Sequence, residues 1–118
     1  MNKREYLDDV MSCDINMERV DVINKKYNVE LNKLLSKVIS YARENVFFEK
    51  ERRVLCFEEI KDASDDYEVD FVEMGILPVI DAYDNTFIVY SFEDDLWAMY
   101  NISDDILFDE NKSLEEIL

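Results

Sequence analysis

The sequence predicts an α+β fold: an antiparallel sheet of about five strands with a central three-strand meander, N-terminal helices packed on one face, and a short C-terminal helix. Three observations carry this. Between Gly75 and Ile102 lie three runs rich in β-branched and aromatic residues, Ile76–Ala82, Thr86–Phe92 and Leu96–Ile102, separated only by short polar breaks. Upstream, Leu31, Leu34, Leu35, Val38, Ile39 and Ala42 recur at helical spacing and form one apolar stripe. Near the end, Ser113 stands three residues before Glu116, the capping-box pattern of a helix start.

The breaks in the meander are Tyr83-Asp84-Asn85 and Glu93-Asp94-Asp95. Asp and Asn tolerate turn dihedrals and bond their own backbone, and connections this short fold each strand back along its neighbour. Gly75, the only glycine, suits a positive φ before the first strand, and Pro78 inside that strand marks an edge position or a bulge. Alternation places Phe87, Val89 and Ser91 on one face of the second strand and Ile88, Tyr90 and Phe92 on the other. Both faces are apolar, so the sheet is either covered on both sides or keeps one face partly open.

Ahead of the meander, residues 3–12 form a short helix with Tyr6, Leu7, Val10 and Met11 on one side. Asp14 or Asn16 caps a second helix carrying Met17, Val20, Ile23 and Tyr27, which Asn28 ends. The Leu31–Ala42 helix is the one expected to cover the sheet. Val46–Phe48 and Arg53–Phe57 read as two further strands, and Glu58–Ile60 starts a short helical segment. The acidic region Lys61–Asp70 reads as a loop or weak helix, and Ser103-Asp104-Asp105 as caps of a short turn through Phe108. No internal repeat or linker stands out.

At 118 residues with 48% hydrophobic content, residues 1–118 make a single domain with a substantial core. No run of about 18 apolar residues occurs, and the first residues lack the apolar segment of a secretory signal, so a cytoplasmic chain is expected. Cys13 and Cys56 are expected as free thiols in that compartment, with a disulfide as the alternative. With no His and no cysteines at ligand spacing, no zinc site is expected; no calcium loop motif occurs either, and no cofactor is implied. Nothing marks a desolvated carboxylate or an activated nucleophile, so the chain is not expected to be an enzyme.

Charge is the strongest functional signal. Residues 1–53 carry 11 Lys/Arg against 10 Asp/Glu, whereas residues 54–118 carry 2 against 19. Such a field repels nucleic acid and anionic membranes and speeds encounter with a basic protein. The acidic turns and ends of the meander, Asp81, Asp84, Asp94, Asp95, Asp104 and Asp105, are the candidate partner-binding residues, with Tyr83, Trp97 and Tyr100 as apolar anchors. The dull alternative is that these carboxylates merely solvate turns.

The order of elements from Arg53 to Leu118 resembles the SUKH superfamily, a group of toxin-immunity proteins that also includes a regulator of cell-wall synthesis. The resemblance lies in VLCFEEI (Val54–Ile60), GILPVIDAYDN (Gly75–Asn85), the strands IVYSFED and LWAMYN, and the closing SLEEIL (Ser113–Leu118). The usual Leu-Pro and Asn-Gly pairs around the second helix are absent, and Asp84-Asn85 replaces a turn glycine. The resemblance implies a non-enzymatic α+β domain. It also implies a bacterial immunity protein of a contact-dependent or polymorphic toxin system, binding and neutralising a cognate, basic toxin domain, for example a nuclease. A regulatory or scaffold interaction module is the alternative.

Overall fold

A computed structural model describes residues 1–118. In chain order the elements are α1 (Lys3–Ser12), α2 (Met17–Tyr27), α3 (Lys33–Tyr41), β1 (Phe47–Phe48), β2 (Arg52–Val54), α4 (Phe57–Tyr67), α5 (Phe71–Met74), β3 (Ile76–Asp81), β4 (Thr86–Ser91), β5 (Leu96–Asn101), β6 (Ile106–Asn111) and α6 (Leu114–Ile117). The strands form one antiparallel sheet in sequence order, β1 to β6. The α+β class and the central meander are as expected, with one strand more than anticipated.

That extra strand exposes a regularity. β3, β4, β5 and β6 each span six residues and begin at residues 76, 86, 96 and 106. The meander is a ten-residue repeat, and the reading of no internal repeat is corrected. Each connection ends on a left-handed residue, Asn85 (φ 58°), Asp95 (φ 54°) and Asp105 (φ 54°). Asn and Asp are the side-chain-bearing residues that enter this region at least cost, so a chain with one glycine can still turn tightly. The segment from Ser103 to Phe108 is therefore a hairpin and not a capped turn. Its strand was hidden because Asp109, Glu110 and Asn111 have poor intrinsic strand preference, which pairing with β5 overrides.

Register assigns the faces. Phe87, Val89, Ala98 and Tyr100 share one face; Ile88, Tyr90, Trp97 and Met99 share the other, and all eight are buried. On the second face, Trp97 borders one shallow hollow with Leu7 of α1, Leu34 of α3 and Leu114 of α6, and Tyr6 stacks on Phe48 with ring centroids 5.1 Å apart. The first face is covered by α4 and α5: Tyr67 meets Phe87 at 5.0 Å and Phe71 meets Tyr100 at 5.9 Å. The central strands are thus covered on both sides, while β6 stays exposed. α4 runs unbroken through Tyr67, so Phe57 belongs to a helix rather than a strand, and of the two readings of Lys61–Asp70, loop or weak helix, the helix holds through Tyr67. Ile60, Ala63 and Tyr67 supply the stripe that the acidic residues between them obscure.

Local chemistry agrees with the caps. Asn16 and Ser113 accept hydrogen bonds from the Arg19 and Glu116 backbone amides, as expected; Asn32, accepting from Leu35, caps α3, which starts at Lys33 rather than Leu31. Arg19 donates to the carbonyls of Ile39, Ser40 and Ala42, closing the C-terminal end of α3 with a cation. Pro78 sits at a register shift in an interior strand, where the β2 ladder reaches only Ile80 and Asp81. Both cysteines are free, Cys56 buried and Cys13 half-buried.

Phe71→Ala removes a fully buried ring between α5 and the sheet, and is expected to cost about 3–5 kcal/mol in denaturant unfolding with an unchanged m-value. Gly75 has φ 69° and open space around a notional Cβ, so Gly75→Ala is expected to cost about 1–2 kcal/mol from backbone strain alone, and Gly75→Asn less. Equal losses for Ala and Asn would contradict this.

Candidate functional site

The ladder divides the candidate residues between the two ends of the sheet. The β3–β4 turn (82–85) and the β5–β6 turn (102–105) lie side by side at one end, and the β4–β5 turn (92–95) lies at the other. Six residues of β4 separate them, about 20 Å at strand rise. Asp81, Tyr83, Asp84, Asp104 and Asp105 are therefore neighbours, whereas Asp94 and Asp95 are remote from them.

Trp97 and Tyr100 are corrected. They are 2% and 1% exposed, so neither presents an anchor at the surface. Alternation alone could not tell a covered face from an open one, and helices cover both. Tyr100 instead donates its hydroxyl to Asp105 at 2.5 Å, and Tyr90 donates to Asp95, five residues on in each case. These bonds pin the left-handed residue that ends each turn back to the preceding strand. Burial, then the neighbouring Asp105 carboxylate, pushes the Tyr100 hydroxyl up to about 12.

Asp81 is also not a free carboxylate. Arg53 grips Glu59 through two hydrogen bonds of 2.8 and 2.9 Å and reaches Asp81 at 3.3 Å. The other Asp81 oxygen accepts from the Tyr83 backbone amide at 2.9 Å, so this network sets the β3–β4 turn. Arg53 lies just before the acidic half of the chain, which is why a count over residues 54–118 missed it. Its guanidinium, hydrogen-bonded to Glu59, holds that carboxyl below the usual range.

What remains is a defined acidic end. Asp84 and Asp104 are exposed and make no ion pair. A lattice of neutral groups holds the two turns together: Asn85 donates to the Ser103 hydroxyl (3.0 Å), Asn101 to the Asp84 carbonyl (3.3 Å) and Thr86 hydroxyl (3.0 Å), and the Ile102 amide to the Asn85 carbonyl (2.9 Å). The carboxylates are thus fixed in place rather than carried on loose loops.

Tyr83 stands out within this end. It is 64% exposed and adopts φ 75°, followed by left-handed Asp84 and Asn85. A bulky residue in this region is strained by about 1–2 kcal/mol, and such outliers concentrate at functional sites. Beside it stands Phe47, 58% exposed, which sequence reading passed over. Phe47, Tyr83, Glu51, Arg53 and Asp81 border one shallow depression of about 360 Å³. Pairing of Phe47 with Arg53, and of Arg53 with Asp81, puts the ring on the face that α4 covers further along, at the β1 edge, where it stays 58% exposed; no sequence pattern signals this consequence of register. The second omission is Ile106, Leu107 and Phe108, exposed at 52, 39 and 40% along β6 directly after the acidic turn. Repetition of Asp-Asp followed by large apolar residues, at 94–97 and again at 104–107, was the available clue.

Two outcomes follow. Tyr83→Gly relieves strain without disturbing the core, and is expected to raise unfolding stability by about 0.5–1 kcal/mol; a loss of stability would show that the exposed ring supports the fold. Glu59 has a folded pKa below its unfolded value of about 4.3. Its contribution is present above that value and lost as pH falls through the folded pKa. Arg53→Met is therefore expected to cost about 1 kcal/mol at pH 7, discounted for partial solvent exposure, with the gap to the parent chain narrowing as pH drops below about 4. Comparison with family models, curated proteins and solved structures gives no match.

Proposed function

We propose that this chain is an immunity protein that binds a basic toxin domain and neutralises it, using the end of the sheet formed by Tyr83, Asp84, Asp104 and Asp105. The observation that carries the reading is the coincidence, at one end, of exposed unpaired carboxylates with exposed aromatic rings, one of them held in a strained backbone conformation. An apolar centre with a charged rim is the make-up of a protein interface hot spot. The resemblance to SUKH proteins supplies the toxin as partner, and a net charge of −16 supplies steering toward a basic one. Binding would cover the cationic cleft that a nuclease needs for phosphates. The reading carries with it a non-catalytic role and a cytoplasmic site of action; no helix is long and apolar enough to cross a membrane.

A regulatory or scaffold module is the second reading, favoured by the same surface if its partner is not toxic. Co-expression separates the two. The chain is produced together with a candidate toxin domain, taken from the carboxy terminus of any large secreted protein that the gene immediately upstream encodes, and growth is measured. Rescue by the parent chain, and its loss in Asp84→Lys/Asp104→Lys with folding intact, is the expected result. Growth arrest that the parent chain does not relieve would contradict the immunity reading. Binding is also expected to weaken as salt rises, chiefly through the on-rate.

A further inference from the structure

The sheet has two edges, and the chain treats them differently. β1 spans two residues, too few to template another strand. β6 spans six residues and pairs with β5 alone, so its outer side is unpaired. Ile106, Leu107 and Phe108 expose three consecutive large apolar side chains there. Alternate N–H and C=O groups along such a strand point outward without a partner. Edges of this kind are normally blunted by charge, proline or a bulge. Here blunting begins only at Asp109, which is left-handed (φ 52°) and lies in the register shift opposite Trp97–Met99. The first half of the strand stays open.

Charge selects the occupant. Antiparallel pairing of two copies about Leu107 would set Ile106 against Phe108, an acceptable match. It would also bring Asp105 toward Asp109 and Asp104 toward Glu110, each twice by symmetry, and opposed like charges destabilise a strand pair. A strand with basic residues at those flanking positions makes every one of these pairs attractive. We infer that the open edge of β6 takes up an extended segment of a basic protein, with two or three apolar residues flanked by Lys or Arg, as an added antiparallel strand. Backbone hydrogen bonds give such an addition its affinity, and Ile106, Phe108 and the flanking carboxylates give it selectivity. The inference rests on the basic partner proposed above and names how part of that partner is held.

The probe is the peptide KRVIVRK added to the full chain, followed by titration calorimetry and amide hydrogen exchange. Binding is expected to slow exchange within Ile106–Phe108. The charge-reversed peptide DEVIVED is expected to bind at least about tenfold more weakly, through like-charge repulsion. N-methylation of the peptide's central amides, which removes hydrogen bonds but no charge, is expected to cost about tenfold as well. Leu107→Lys is expected to abolish binding with an unchanged circular dichroism spectrum. Binding indifferent to N-methylation, or slowed exchange at 82–85 or 93–95 instead of 106–108, overturns the added strand. A concentration-dependent dimer that protects the same amides overturns the choice of occupant. Toxin neutralisation that survives Leu107→Lys sinks the edge mode and leaves the immunity reading standing. Peptide capture at the edge with no toxin neutralised does the reverse.

Discussion

The central strands β4 and β5 are buried on both faces, and most of the architecture follows from that condition. Sheets with one wet face alternate apolar and polar residues, whereas Phe87–Tyr90 and Trp97–Tyr100 are apolar throughout. Such strands are stable only if two layers cover them. The N-terminal helices and α6 close one side over Trp97 and Met99, and α4 and α5 close the other over Phe87 and Tyr100. Apolar contact of this extent supplies the driving force that a chain with so much like charge requires.

Covered faces leave only the ends and edges of the sheet itself exposed. The same meander needs tight turns, and with a single glycine it makes them from Asp and Asn in left-handed conformations. Turn chemistry therefore concentrates carboxylates at the sheet ends. Two of them, Asp95 and Asp105, accept tyrosine hydroxyls and serve the fold. Asp84 and Asp104 have no such duty. Tyr83 goes further, because its exposed ring and positive φ oppose what stability alone would select. Apart from Asp105, the proposed surface thus consists of residues that the fold places but does not use.

Sequence periodicity revealed the fold class, the first three meander strands, the N-terminal helices and the closing cap, since each follows from spacing within one segment. Three features were hidden, for separate reasons. β6 has too many acidic residues to read as a strand by preference, and only its pairing with β5 forms it. α4 is a helix whose apolar stripe is thin and broken up by acidic residues. Trp97 and Tyr100 looked like anchors because an aromatic residue beside carboxylates reads alike whether exposed or covered, and coverage is a long-range property. Tyr83 and the acidic turns were visible in sequence; their division between two ends was not, because it depends on strand direction and register.

The central claim is that one end of the sheet, with the adjoining edge, is the working surface. Backbone resonance mapping of the chain bound to the toxin domain proposed as its partner tests this most directly. The account requires perturbed amides at 82–85 and 102–108, with Glu93, Asp94 and Asp95 at the far end left unchanged. Perturbation centred on residues 93–95, or on the exposed faces of α1 and α2, would contradict it.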